Sequence, residues 1–403
     1  MAGVPRGLRA LAHRDFRLFF AGQLVSLIGT WMQSVGQAWL VLELTNSPFR
    51  LGMIGTLQFG PMLVFSFVAG AISDRVRKRR MIVGTQTVLM LQALALAVLV
   101  ASGHVQYWHV AVLATIYGIA NTFDMPARQA FVADLVGKED LMNAIALNSA
   151  MFNGARVIGP AAAGLLVARW GEAAAFFVNA ASFVAVIMAL LAIHNDGLPR
   201  PRRRNRLVGE IAEGIRYAVG TPRVALVFSL LLTVSLFVVN YNVFVPLIAR
   251  DVLGEGAHGF GLLMAALGTG AVTGAVVMAF VSRPWPSLPM VIGPAVVLSL
   301  ATVALGAAHH FAVTASLLTV VGLAQILFMT SCNTTVQIAV PDELRGRLMS
   351  LYAMVFVGMT PIGSFLVGTI AERAGVATAC VTGGTAGLVS ILGLTVAARR
   401  RHA

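Results

Sequence analysis

The chain alternates between long apolar runs and short polar stretches. Twelve apolar runs are present, at about residues 16–42, 50–73, 81–103, 105–125, 141–168, 173–194, 224–249, 257–281, 287–308, 311–336, 347–370 and 375–398. A run of roughly 20 apolar residues, coiled as a helix, crosses about 30 Å of hydrocarbon. The pattern predicts an all-α membrane protein with twelve transmembrane helices. The longest polar stretch lies between the sixth and seventh runs. It divides the chain into an N-terminal six-helix half at 1–194, a linker at 195–223 and a C-terminal six-helix half at 224–403. The linker opens on PRPRRRNR, Pro199 to Arg206, and continues as EIAEGIRYAV, which reads as an amphipathic surface helix. The first run starts near Phe16 and passes Val41, too long for a signal-peptide core, so it reads as a retained first span.

Composition fits this picture. Of 403 residues, 58% are hydrophobic and 11% charged, and mean hydropathy is +0.83; a soluble domain of this size carries more polar surface. The net charge of +13 raises the question of nucleic acid, and the placement of the charges answers it. The N-terminus, the alternate loops, the linker and the C-terminus hold 24 of the 29 Lys and Arg residues. The opposite loops hold only Arg50, Arg169, Arg250 and Arg373, and Arg156 lies inside the fifth run. Cytoplasmic loops are the ones enriched in Lys and Arg. Both termini and the linker are therefore expected in the cytoplasm, with the basic residues facing anionic lipid rather than nucleic acid. Cys332 and Cys380 lie far apart in apolar runs, so neither a disulfide framework nor a metal site is expected. The sequence has no G-x-x-x-x-G-K-[ST] stretch and no nucleophile constellation. No cofactor and no enzymatic activity are expected.

The halves echo one another. RVIGPAAAG, Arg156 to Gly164, parallels GMTPIGSFLVG, Gly358 to Gly368, with Pro160 and Pro361 201 positions apart. The basic loop after the second run has a faint counterpart in SRPWPS, Ser282 to Ser287. Two pseudo-repeated six-helix halves are the architecture of a transporter that exposes a site between them to each side in turn.

Between the second and third runs stands GAISDRVRKRR, with Gly70, Asp74, Arg75, Lys78, Arg79 and Arg80 in the pattern G-x-x-x-D-R-x-x-[KR]-[KR]-[KR]. It resembles the signature loop of the major facilitator superfamily, departing at Arg77, where glycine is usual. The fifth run carries Ala155, Gly159, Pro160, Ala163 and Gly164, which resemble the superfamily's antiporter motif, associated with exporters. RDFRLFFAGQLVSLIGTWM, LELTNSPFRLG and GIANTFDMPARQAFVADLV are similar to the enterobactin-exporter and macrolide-efflux-like branch. Relatives there often carry an acid where this chain has Thr30. The resemblance implies a secondary-active exporter in the bacterial inner membrane. It would be monomeric and would exchange a small organic molecule, drug or siderophore-like, for protons. An importer or uniporter is the alternative within transport. A membrane scaffold or sensor is the alternative outside it, and would be expected to carry a partner-binding domain or a long tail.

The resemblance also suggests roles for individual residues. Asp74 would meet the positive N-terminal end of the eleventh span near Arg345 to Met349, a contact worth roughly 0.3–2 kcal/mol, with Arg75 and Arg79 supplying partners. Asp124 would pair with Arg77 or Arg79 across the loop, or with Arg128 one turn on. Arg156 lies about 22 Å into its span at ~1.5 Å per residue, and a membrane-embedded arginine takes a cavity or a partner. Holding an anionic substrate, countering a titrating acid and forming a structural pair with Glu43 all remain open. Gly159 and Pro160, with Gly164, would form a tight, bendable seam. Trp31, Gln33, Gln37, Asn148, Asn240, Tyr241, Gln325 and Asn333 would line the substrate cavity by analogy, or else join helices by hydrogen bonds. Glu43, Asp74 and Asp124, near spans one, two and four, all lie toward span ends.

Overall fold

The computed structural model describes residues 6–198, 207–280 and 288–400, and among them there is no β-strand. Helices follow one another as α1 (Arg14–Thr45), α2 (Pro48–Ser73), α3 (Lys78–Ala101), α4 (Tyr107–Val136), α5 (Leu141–Trp170) and α6 (Glu172–Ala192). Next come α7 (Leu207–Gly220), α8 (Pro222–Phe237), α9 (Tyr241–Leu247), α10 (Ala257–Phe280), α11 (Leu288–Leu305) and α12 (Phe311–Ala339). The last three are α13 (Asp342–Gly358), α14 (Thr360–Ala374) and α15 (Val376–Arg400). Among the described residues, ten helical stretches are long and apolar enough to cross a membrane. With α2 and α4, of 26 and 30 residues, they are consistent with twelve spans. Two spans are broken. The seventh pauses at Val238 to Asn240 between α8 and α9 and ends in a short π-helical segment. The eleventh breaks at Met359, where Pro361 sits in the first turn of α14, the one place in a helix where its missing N–H costs nothing. Helix α7 realises the amphipathic linker helix, and Tyr217 on it donates its hydroxyl to the Ala339 carbonyl at 3.2 Å. The arginine run 199–206 and the stretch SRPWPS, 282–287, lie outside the described residues.

The chain forms two compact units. One comprises residues 1–46, 60–202 and 256–265; the other comprises 47–59, 203–255 and 266–403. Each unit thus includes the first turns of a helix whose remainder belongs to the other. In the first, Phe16, Phe19, Ile82, Leu89, Phe131, Phe183 and Leu190 join α1, α3, α4 and α6 in one apolar cluster, with Phe19 and Phe131 edge to face at 5.8 Å. A buried amide chain crosses the same helices: Asn179 Nδ2 donates to Gln33 Oε1 at 2.6 Å, and Gln33 Nε2 to Gln92 Oε1 at 3.0 Å. In the second unit α10 and α12 touch through glycines. A Cβ on Gly270 would stand 1.9 Å from the Thr319 carbonyl oxygen, and one on Gly322 1.9 Å from that of Leu267. Close backbone approach of this kind is how membrane helices gain packing energy where water offers no driving force.

The internal repeat is tighter than the proline pair suggests. Ile158-Gly159, Gly164, Arg169 and Gly171 recur as Ile362-Gly363, Gly368, Arg373 and Gly375, each 204 positions on. The matching residues do matching work. Gly171 and Gly375 both adopt positive φ, +76° and +84°, which lets α5 turn into α6, and α14 into α15, across one residue. Gly159 and Gly363 both face a helix backbone. The two prolines, 201 apart, stand at non-equivalent positions.

Candidate functional site

The basic knot after α2 grips the strap of chain that leaves α6. The Lys78 and Arg79 backbone N–H groups, orphaned at the start of α3, donate to the Gly197 and Asp196 carbonyls at 3.1 and 3.2 Å. Lys78 is buried; its Nζ makes an ion pair of 2.9 Å with Asp134 of α4 and a hydrogen bond of 2.8 Å to the Leu198 carbonyl. Arg77 and Arg79 both reach the Asp196 carboxylate, at 2.8 and 3.2 Å, and Arg79 also donates to the Ile193 carbonyl at 2.6 Å. Asn195 ties the strap to the Asp134 carbonyl at 2.7 Å, and the Asp15 carboxylate on α1 accepts the His194 and Asn195 N–H groups at 3.2 Å. Gly197 holds a φ of +62° directly over the Phe131 ring, where a Cβ would approach to 2.8 Å. We expect Gly197→Ala to cost about 1–2 kcal/mol for the left-handed backbone and to loosen the strap. Limited proteolysis at residues 193–198 reads this directly; cleavage as slow as in the unchanged protein refutes it.

This corrects one expectation. Asp124 does not pair with Arg77 or Arg79, because Asp196 already satisfies both. Asp124 is fully buried, pairs with Arg128 one turn on, and accepts from Thr85 Oγ1 at 2.7 Å and Gln86 Nε2 at 3.0 Å. A buried carboxylate needs this full complement. Asp74, half-buried at the end of α2, has no side-chain hydrogen bond or ion pair among the described residues. Gly70 meets no neighbour that a Cβ would touch. Arg75 is exposed.

Along α5 the motif residues Ala155, Gly159, Pro160, Ala163 and Gly164 are all buried. Gly159 faces α1: a Cβ would lie 2.5 Å from Trp31 Cβ and 2.9 Å from the Ile28 carbonyl oxygen. Gly164 faces the first turns of α10, where a Cβ would lie 3.0 Å from the His258 carbonyl oxygen and 3.1 Å from Gly261 Cα. The motif thus lets α5 lie backbone-close to two helices at once. On the same seam the Arg156 guanidinium stands over the Trp31 ring at 5.8 Å, and Trp31 meets Phe152 edge to face at 5.9 Å. A cation on an indole face is a favourable arrangement, more so away from water.

A second constellation lies at the α1–α6 end. Trp39, buried and stacked on Phe260 at 6.2 Å, donates its indole N–H to Glu43 Oε1 at 2.6 Å. Burial pushes the pKa of the Glu172 carboxyl, in the first turn of α6, above its ordinary value, and the neighbouring Glu43 carboxyl acts in the same direction. Arg169, at the neighbouring end of α5, lies over the Trp170 ring at 5.4 Å. The sequence reading singled out Glu43 but missed Glu172. Its signal was an acid placed just after a glycine between two apolar runs.

The remaining cavity candidates divide. Gln33 commits both ends of its amide to α3 and α6, which makes it a helix tie. Gln37 on α1 and Gln325 on α12 are buried, and Asn148 on α5 is half-buried. Asn240 donates to the Leu236 carbonyl at 2.9 Å where the seventh span breaks, and Gly363 packs against its side chain. The Tyr241 hydroxyl lies 2.9 Å from Thr302 Oγ1, and Asn333 Oδ1 accepts from Gln337 one turn on.

Similarity to known proteins covers nearly the whole chain. The family described as transmembrane secretion effector matches residues 6–402. The staphyloferrin A transporter of Staphylococcus aureus is 26% identical over 89% of this chain and 90% of its own. The multidrug efflux pump Tap of Mycolicibacterium fortuitum is 26% identical over 89% of each, and macrolide efflux protein A of Streptococcus pyogenes 23% identical over 90% of each. Among solved structures, a POT family transporter bound to 5-aminolevulinic acid has a TM-score of 0.79 at 10% identity, covering 96% of both chains. The nucleoside transporter NupG has a TM-score of 0.74 at 11% identity, covering 95% of this chain and 98% of that one. With its helical fold, its signature loop and a match across 6–402, the chain belongs to the transmembrane secretion effector family of major facilitator superfamily transporters.

Proposed function

We propose that this protein exports a small, amphipathic organic molecule, a drug or a siderophore-like metabolite, in exchange for protons. It does so by alternating access in the bacterial inner membrane, as a monomer with both termini in the cytoplasm. The likeness over about nine-tenths of the chain to proteins named as efflux pumps carries the export direction. The staphyloferrin A transporter extends the substrate class toward siderophores. The α5 motif supports the same reading, because it supplies the close, small-residue seam along which helices can shift. Arg156 over Trp31 gives the cargo a cation and an aromatic face side by side, with Gln37, Asn148, Asn240, Tyr241, Gln325 and Asn333 as amide and hydroxyl contacts. Asp74, with no side-chain partner among the described residues, gates the cytoplasmic side.

Proton exchange is supported by the neighbouring Glu43 and Glu172 carboxyls, since burial and the Glu43 carboxyl raise the pKa of Glu172, on the side that the Lys and Arg distribution assigns to the cell exterior. Gln substitution at either position removes a titratable carboxyl but keeps the shape. We expect Glu43→Gln and Glu172→Gln each to abolish the dependence of export on a pH gradient. The measurement is accumulation of a panel of fluorescent compounds, macrolides and siderophores in expressing cells, with and without a protonophore, and then in sealed vesicles of set pH. Low accumulation that the protonophore and both variants restore supports the reading. If either variant follows the gradient as the unchanged protein does, the pair is not the proton site; if no compound is expelled, export itself fails.

A further inference from the structure

Of the basic residues in the signature loop, Arg77, Lys78 and Arg79 are engaged with the strap and with Asp134. Arg80 is exposed and has no hydrogen bond or ion pair among the described residues. It stands at one end of a groove of about 540 Å³ between the end of α2 and the faces of α3 and α4, whose walls include Ile72, Val76, Gly84, Val88, Ile119 and Phe123. The walls are almost wholly apolar. Thr85, the polar residue beside them, spends its hydroxyl on Asp124, which Arg128 neutralises. Asp74 is the loop's one acid.

The groove continues surfaces that face hydrocarbon. On α3, Arg80, Gly84, Val88 and Leu91 fall on one helical face, with Val88 and Leu91 exposed at 41% and 55%. On α4, Val112, Ile116 and Ile119 form the matching exposed stripe. From Arg80 to Val88 the face runs about 12 Å at ~1.5 Å per residue. A trough lined by aliphatic side chains, open along lipid-facing stripes and closed at the headgroup level by an unpaired guanidinium, fits one kind of occupant: an acyl chain joined to an anionic head. Basic pockets between membrane helices on the cytoplasmic side are suited to such lipids, and arginine pairs with phosphate through parallel hydrogen bonds.

We propose that this groove binds one anionic phospholipid, with its phosphate on Arg80 and an acyl chain along Gly84 and Val88. The proposal is independent of the direction of transport and of the identity of the cargo. It uses the arginine that closes the groove and that the strap leaves free.

Two substitutions test it from opposite ends. Arg80→Gln removes the charge. Gly84→Leu fills the trough, and does so without collision, since a Cβ on Gly84 meets nothing within 4 Å. The purified protein would be titrated with phosphatidylglycerol or phosphatidylcholine of the same acyl chains and bound lipid counted by native mass spectrometry. Lys138→Gln, an exposed cation on the next basic loop, serves as control, and unchanged melting temperatures show that the variants are folded. We expect Arg80→Gln to lower phosphatidylglycerol binding about five-fold, the effect of one basic residue near an anionic surface. Gly84→Leu should abolish it, and Lys138→Gln should leave it unchanged. Equal binding of phosphatidylcholine by the unchanged protein overturns the headgroup assignment. Undiminished phosphatidylglycerol binding by either variant overturns the site.

Discussion

Replacing Lys78 with methionine should lower the stability of the protein by about 3–5 kcal/mol, the usual consequence of leaving one member of a buried ion pair without the other. Lys78 and Asp134 are 4% and 7% exposed, with 2.9 Å between them. Removing the ammonium strands a carboxylate in an apolar setting beside Phe131 and Leu135. It also removes the donor to the Leu198 carbonyl. Asp134→Leu alone should cost a similar amount, since it strands the cation. The double variant Lys78→Met with Asp134→Leu should recover much of the loss, because two apolar side chains of similar volume need no desolvation. Thermal unfolding in detergent of the three variants reads this as a cycle. Additive losses in the double variant would mean that the two groups act separately, against the geometry. The exposed Arg77–Asp196 pair is the internal contrast: solvent screening leaves such a pair with at most about 1 kcal/mol, so Arg77→Gln should barely move the melting temperature.

The contrast between Lys78 and its neighbours shows what the sequence could and could not reveal. Apolar runs of sufficient length disclosed the spans, because a segment in hydrocarbon must satisfy its own backbone and one of about 20 apolar residues does so as a helix. The linker helix α7 was legible because its apolar and charged residues alternate with helical period. The knot GAISDRVRKRR was legible as a functional loop but not as a clamp. Its partners Asp134 and Asp196 lie 56 and 118 positions beyond Lys78 in the chain, and nothing local marks them. Asp124 was legible by halves. The i+4 spacing to Arg128 is a local signal and was correct, whereas the cross-loop partner was a family expectation that Asp196 displaces. Glu172 was missed because an acid at a span boundary looks like an ordinary helix start; only folding brings Glu43 to it. The repeat Ile-Gly-x4-Gly-x4-Arg-x-Gly was present in the letters at a spacing of 204 and was overlooked in favour of the prolines. The glycines carry the signal, since each sits where another backbone or a tight turn excludes a side chain.

That repeat leads to the largest functional effect we expect. Gly159→Leu should reduce transport to background, while Gly154→Leu, five residues earlier on the same helix, should leave it close to normal. The difference follows from what each side chain would meet. At Gly154 a Cβ finds nothing within 4 Å. At Gly159 it would stand 2.5 Å from Trp31 Cβ and 2.9 Å from the Ile28 carbonyl oxygen, both on α1 and neither able to retreat without moving the helix. Forcing extra methylenes into such a contact costs about 1–3 kcal/mol, which the fold can survive. The Trp31 ring cannot keep its place, and with it goes the face against which Arg156 and Phe152 are set. Gly363→Leu, at the equivalent position of the second unit, should act alike by displacing Asn240, whose side-chain oxygen a Cβ there would approach to 2.5 Å. Gly159→Ala should give an intermediate rate. Transport would be followed in vesicles containing equal amounts of folded protein, confirmed by size-exclusion chromatography. If Gly159→Leu transports as well as Gly154→Leu, the α1–α5 seam is packing alone, and the role assigned to Arg156 and Trp31 falls with it.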